Sequence, residues 1–595
     1  MVPAGKLRRP AAPSPIARTW RDGVVLLWPP VLALVLVAPL MVRPGHPLAR
    51  DLVFVPRQPF TDATWGLGDV APRAVPLDSV VAALTHVVDG GVLARVVLPL
   101  TLAVLGWGVA ALLAPAGRTA QLAGSGFAVW NAYVVERLAL GQWALLLGLA
   151  ALPWLVAAGM RYRRSGRRVD LAAAIAWAAL ASLTPTGGLL ALAGLVAACA
   201  PHLRRTGVVV AAGLALQAPW VVAALTGPGA RVSDTSGVSV FAPDTGSPLG
   251  PVVALLGLGG IWDAGSEPAT RTTWPALVAA VVVVVVLVAG VVLLRRAWGT
   301  GDTLRWVLLA AVLGGTAVLA ATSWGEEVMV WLVGTVPGAG LLRDTQKLLA
   351  PVVVLAAAGF GACASRMSRA LAGTDAHGLA VLVLAVVPVL LLPDATTETW
   401  RTVEPVALPG DLDRAADVLA GEDGVVVTLP WRSYRAFSWG HRGMTSSDPA
   451  IRMFDADVVT SDSLQVGAVL VPGESTLAAR IGAALETGPP AESLPALGVA
   501  WVVVYPDDRE AAQLDLAGLE PVLRGDDVEV YRVPGAASRP APDSDGRRVA
   551  VWAAHLLALA VAGAAVLARA AGRPGRGHRA DTDPRLVENA TRTAS

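Results

Sequence analysis

The sequence predicts a polytopic α-helical membrane protein carrying one small α/β domain outside the bilayer. Three observations point there. Of 595 residues, 54% are hydrophobic and 15% charged, against about 25% charged in soluble domains, and mean hydropathy is +0.59. Apolar runs recur at lengths near the roughly 20 residues that cross about 30 Å of hydrocarbon. When those runs are threaded in order, the dense arginine clusters fall on one side.

The stretch from Lys6-Leu7-Arg8-Arg9 to Arg21 is basic and rich in Pro and Ala, as before a signal peptide. No small-x-small cleavage site follows, and Pro29-Pro30 interrupts the run, so 24–42 reads as an uncleaved first helix. Further spans are expected at 92–115, 119–135, 138–160, 170–184, 186–201, 206–226, 274–294, 304–322, 346–364, 377–393 and 549–571, about twelve in all. The cytoplasmic side then collects Arg161-Tyr162-Arg163-Arg164 with Arg167-Arg168, Arg204-Arg205, Arg295-Arg296 with Arg305, Arg366 with Arg369, and the tail residues Arg573, Arg576 and Arg579. Both termini belong to that side.

The chain thus divides into a membrane body at 1–393, an extracytoplasmic segment at 394–547, and a last span with a basic tail at 548–595. The outer loops of the body are 43–91, 227–273 and 323–345. Within them Pro251–Ile261 and Val328–Val336 are apolar but too short to span. They are expected as interfacial or re-entrant pieces, because irregular backbone at that depth must lie against protein or water.

Segment 394–547 has soluble character. Val425–Leu429, Val499–Tyr505 and Val528–Val533 read as strands, and 411–420, 474–486 and 508–518 as helices, which together make an α/β domain. It contains Trp431-Arg432-Ser433-Tyr434-Arg435-Ala436-Phe437-Ser438-Trp439-Gly440-His441-Arg442. Aromatics interleaved with Arg suit sugar rings and phosphates, or alternatively pack the domain onto the membrane body. Trp431, Arg432 and Tyr434 are the candidates for substrate contact.

Several function classes lack support. Net charge is +2, so no global field draws nucleic acid. Cys199 and Cys363 lie in apolar runs without a CxxC motif and read as small core residues. His46, His86 and His441 lack metal-ligand spacing, so no metal site is assigned. A divalent cation held by Asp51 and a neighbouring acid is left open. With neither a phosphate loop nor a serine elbow, any reaction must use an activated lipid donor.

Asp51 is the catalytic candidate. It lies about nine residues beyond the first span, at the level of lipid headgroups. Leu341-Leu342-Arg343-Asp344-Thr345-Gln346-Lys347 leads into a span from outside, and the spacing predicts Arg343 and Lys347 on one helical face, near a helix start that favours anions. Glu136-Arg137 sits between two apolar runs, where ionisable residues are functional candidates by default; a mutual structural pair is the other reading.

The run Gly126-Phe127-Ala128-Val129-Trp130-Asn131-Ala132-Tyr133-Val134-Val135-Glu136-Arg137-Leu138-Ala139-Leu140-Gly141-Gln142-Trp143-Ala144-Leu145-Leu146 resembles a segment of GT-C class membrane glycosyltransferases, in particular the actinobacterial arabinofuranosyltransferase- and mannosyltransferase-like proteins of the cell envelope. The resemblance implies a GT-C-like helical body in the cell membrane with an acidic residue in the first outer loop, often followed by an extracytoplasmic domain. It also implies transfer of a sugar from a polyprenyl-phosphate donor to an envelope glycan or lipid acceptor. Asp51 would be the general base. Arg57, Arg137, Arg343 and Lys347 would offset the departing phosphate, with Glu136 and Asp344 beside them. Many such proteins carry paired acids in that loop, whereas Asp51 stands alone, and Asp62, Asp69 and Asp78 follow at no recognised spacing. The alternative is a non-catalytic envelope scaffold or a component of a lipid or polysaccharide transporter. No internal repeat of the kind transporters carry is evident.

Overall fold

A computed structural model describes residues 22–69, 71–228, 232–243, 249–441, 443–536 and 545–571; the basic N-terminal stretch and the tail arginines lie outside them. Most described residues are helical. Among them, seven helices are long and apolar enough to cross a membrane: Gly90–Leu112, Trp143–Ser165, Leu203–Thr226, Pro275–Trp298, Thr300–Ala320, Thr345–Ala370 and Asp545–Ala571. Ala376–Leu391 and Ala395–Val403 together would make another, but they bend by 65° at the break between them. Helices occupy all the expected spans, several of them short or broken. The run expected at 24–42 splits at Val37 into Gly23–Leu36 and Ala38–Val42.

The run expected at 119–135 breaks at Trp130-Asn131 into Arg118–Val129 and Ala132–Ala139. Asn131 is the cause. Its side-chain oxygen accepts from Val134 N at 3.1 Å, and its amide donates to Phe127 O at 2.9 Å and Ala128 O at 3.0 Å. One side chain thereby satisfies the last carbonyls of one helix and a first N–H of the next. The span expected from 138 starts only at Trp143, because residues 140–142 form a turn through Gly141 at φ 87°.

At the far end of helix Trp143–Ser165, Arg163 and Arg164 meet Asp302, the first at 2.7 Å, and Arg305 donates to Ala200 O at 3.0 Å. The helix ends that carry Arg163, Arg164 and Arg305 thus meet at one end of the bundle. Gln142 at the other end of that helix lies about 30 Å away.

The first loop begins with a hairpin, β1 (His46–Ala49) and β2 (Leu52–Val53), and β1 also pairs with β3 (Pro405–Val406). Alternation along the extended chain sorts the next residues. Leu52 and Phe54 enter the core of the helical body, whereas Leu48, Val53 and Val55 enter a core of the α/β domain. The loop is therefore a wedge between the two, with each fully buried apolar side chain contributing about 1.5–3 kcal/mol.

The domain has a five-stranded sheet in the order β11-β12-β10-β4-β7, with β4 (Val425–Leu429), β7 (Asp457–Val459), β10 (Val499–Val504), β11 (Glu520–Arg524) and β12 (Glu529–Arg532). Strands β10, β4 and β7 are parallel and the other pairings antiparallel. Helix Gly410–Leu419 covers one face and Thr476–Thr487 the other, which is why the central strands are apolar on both sides. Two small hairpins complete the domain: β5 (Tyr434–Arg435) with β6 (Ser446–Ser447), and β8 (Leu464–Val466) with β9 (Val469–Val471).

One expectation needs correction. The helix predicted at 508–518 is a short 3-10 turn at Ala511–Gln513 followed by β11. There the carboxylates of Asp508 and Asp515 accept from Glu510 N at 3.1 Å and Ala517 N at 3.0 Å, local bonds that compete with a helix. The outer stretch 323–345 opens with a helix at Ser323–Thr335, which takes up most of the short apolar piece 328–336 and buries Gly325, Met329 and Val333.

Candidate functional site

The hairpin tip Arg50-Asp51 is held from three sides. Arg50 has φ 52°, a left-handed conformation uncommon outside glycine. Its N–H donates to Thr445 O at 2.7 Å, and its carbonyl accepts from Ser447 N at 2.9 Å, which ties the tip to the α/β domain. Its guanidinium donates to Ala139 O at 2.7 Å and Gly265 O at 2.5 Å, and pairs with Asp263 at 3.3 Å. Asp51 N donates to Leu140 O at 3.3 Å. This close approach needs Gly141, where a Cβ would lie 2.3 Å from Leu52 N.

The Asp51 carboxylate is half-buried. One oxygen accepts from the Tyr434 hydroxyl and the other from the Gln142 amide at 3.3 Å. Burial, followed by the charge of Asp51, pushes the Tyr434 phenol well above its ordinary value, so it stays protonated and donates. From Gln142 a chain of bonds runs inward. Arg137 donates to Gln142 at 2.6 Å, to Asp344 at 2.5 and 2.7 Å, and to Gln346. Gln346 donates to Glu136 at 2.7 Å, as does Ile261 N at 3.2 Å. Ile261 closes the apolar piece expected at 251–261, which forms a short helix and a kink at Leu258 with φ 67°.

Arg137 is fully buried, and its two-pronged pairing with Asp344 is the strongest contact of the network. Burial alone would raise the Asp344 carboxyl, but Arg137 and Lys347 hold it below the usual range. Lys347 lies 3.5 Å from Asp344, remains 23% exposed and feels the charge of Asp51.

The structure thus brings together Asp51, Glu136, Arg137, Asp344, Lys347 and Tyr434, from four distant parts of the sequence. Other predicted residues sit apart. Arg57 is exposed, and no hydrogen bond among the described residues joins it to the network. Arg343 does not share a helical face with Lys347, because 345–349 is a 3-10 turn and the regular helix starts at Ala350. Arg343 instead pairs with Glu474 at 3.2 Å, beside Arg73 at 3.0 Å on the same carboxylate, and stacks over Phe241 at 5.3 Å. Trp431 packs into the domain core, and Arg432 pairs with Asp508 at 3.5 Å and with Glu510.

Sequence reasoning missed Gln142, Gln346 and Arg50. The two glutamines carried a weak signal, as uncharged polar residues at the edges of apolar runs. The left-handed turn at Arg50 carried none. Among the described residues, no three His, Cys, Asp or Glu side chains gather as a metal site.

No protein-family profile matches the sequence, and no curated protein does. Among solved structures, the arabinofuranosyltransferase AftD from Mycobacteria is similar in fold, with a TM-score of 0.55 at 17% identity over 88% of this chain and 40% of that one. A mutant of the same protein aligns with a TM-score of 0.48 at 17% identity, over 86% of this chain and 42% of that one. The chain therefore spans less than half the length of the protein it resembles. At this identity the likeness establishes the fold alone.

Proposed function

We propose that the chain is a membrane glycosyltransferase that moves a sugar from a polyprenyl-phosphate donor to an envelope glycan or lipid acceptor. The observation that carries the reading is the setting of Asp51, a half-buried carboxylate on a gripped hairpin tip near the cation Lys347. The AftD-like fold supports it. The finer plan goes with the proposal: about twelve crossings, the domain at 394–547 on the outer face, both termini cytoplasmic, and chemistry at the outer leaflet.

In this reading Asp51 takes the proton of the acceptor hydroxyl as that oxygen attacks the anomeric carbon. The bond from that carbon to the phosphate oxygen breaks, and its electron pair leaves with the phosphate. Lys347, with Arg343 and Arg73 beyond it, supplies positive charge toward the leaving group. Tyr434 and Gln142 orient the Asp51 carboxylate. Arg137, Asp344, Gln346 and Glu136 brace Gln142 and the start of the Lys347 segment. Arg57, Trp431 and Arg432 make no bond to this network, and the proposal does not depend on them.

The test is transfer of labelled sugar from a polyprenyl-phosphate donor in purified membranes. Asp51→Asn keeps the shape and removes the base, so transfer should fall by roughly 10²-fold or more while the protein still folds. An equally active variant would move the base elsewhere, with Asp62 and Asp69 next. Absence of transfer by wild type from every donor tried would favour the scaffold or transporter reading.

A further inference from the structure

The β8–β9 hairpin is the most apolar exposed piece of the α/β domain. From Ser463 to Gly473 there is no charged residue. On β9, next to the Gly467-Ala468 turn at its tip, Val469 is 45% and Leu470 55% exposed. Two aliphatic side chains bared on a two-stranded ribbon need a covering surface, and a ribbon of this size is marginal alone in water.

Its position says what that surface is. Glu474 follows β9 after Pro472 and Gly473, accepts from Ser233 at 2.8 Å and pairs with Arg343. Arg343 stands two residues before the apolar helix Thr345–Ala370, so the hairpin base is fixed at the level where that helix enters the bilayer. A second route gives the same level. Strand β9 packs on helix Ser236–Val240, which packs on Ser323–Thr335, and the latter starts three residues after the spanning helix Thr300–Ala320 ends.

Helix Ser323–Thr335 is itself built for a lipid surface. One face is buried in the protein. Beside it Trp324, Val328 and Trp331, spaced i, i+4 and i+7, form an exposed apolar stripe, the tryptophans 65% and 62% exposed. Glu326 faces away from that stripe, and Glu327 flanks its edge, one turn from Trp324 and from Trp331. Tryptophan at such a level marks the headgroup boundary.

We propose that the β8–β9 tip dips into the leaflet on the side of the α/β domain, as a lipid anchor continuous with the stripe of Ser323–Thr335. The two pieces would clamp the domain, and with it Tyr434, at a constant height over the bilayer. The hydrocarbon-facing helices and the anchor then form one lipid surface. This inference does not depend on the proposed transferase activity.

The test uses the full chain in phosphatidylcholine vesicles with Cys199→Ala and Cys363→Ala. A polarity-sensitive dye is placed at Val469→Cys, and separately at Leu470→Cys, with Gly421→Cys as the reference on an exposed turn. Lipids spin-labelled near the headgroup should quench the dye at both tip positions, and aqueous iodide should not. At Gly421→Cys the order should reverse. Iodide quenching at the tip equal to that at Gly421→Cys would overturn the proposal. So would a tip shielded from both quenchers, which would mean a protein surface covers it.

Discussion

At the scale of single residues, Arg137 determines whether the site holds together. It is buried without exposure and joins Gln142, before helix Trp143–Ser165, to Asp344 and Gln346, at the start of the segment leading into Ala350–Ala370. Removing one partner of a buried pair strands the other, at a cost of about 3–5 kcal/mol. Arg137→Gln should therefore lower the thermal unfolding midpoint of the purified protein sharply, with Arg137→Lys intermediate, because a lysine keeps the charge but loses the fork. An unchanged midpoint for Arg137→Gln would show that the pairing is not structural support. The sequence flagged Arg137 because an ionisable residue between apolar runs is conspicuous. It could not flag Tyr434 as a partner of Asp51, since the two meet only after the domain docks on the loop, 383 positions apart in sequence.

At the scale of elements, what was legible followed local physics. Apolar runs became helices, and Val425–Leu429 and Val499–Val504 became paired parallel strands. What failed depended on side chains answering distant or local hydrogen-bond demands: the break at Asn131, the turn through Gly141, the unformed helix at 508–518. The same limit explains Arg343 and Lys347. Sequence spacing put them on one face, yet the 3-10 start of the segment sends them to different partners, Glu474 and Asp344. Each partner retains another cation, Arg73 or Arg137. The double variant Arg343→Gln, Lys347→Gln should therefore still insert and fold. If both cations hold a lipid phosphate, with charge-assisted contacts of about 1.5–3 kcal/mol each, its donor-lipid affinity should drop by roughly two orders of magnitude or more. Unchanged affinity in a lipid-binding assay would leave them as interfacial anchors.

At the scale of the whole molecule, the arrangement is a helical body and an α/β domain sharing one loop as a wedge. Alternate residues of that wedge feed the two cores, so the site at its tip exists only when both halves are in place. The plan of a membrane body followed by a small domain was readable from composition and from the arginine clusters. That the first loop is part of the domain core was not, because a four-residue strand carries too little pattern to announce its partner. The topology itself is open to a direct check: reporter fusions at Gly421 and Gly572 should report opposite compartments, and the same compartment for both would defeat the proposed orientation. The most direct measurement of the central claim is a structure with a non-hydrolysable polyprenyl-phosphate sugar bound. The account predicts the phosphate within hydrogen-bonding reach of Lys347 and the anomeric carbon facing the open side of the Asp51 carboxylate. A ligand seated elsewhere, with Asp51 still closed off by Tyr434 and Gln142, would contradict it.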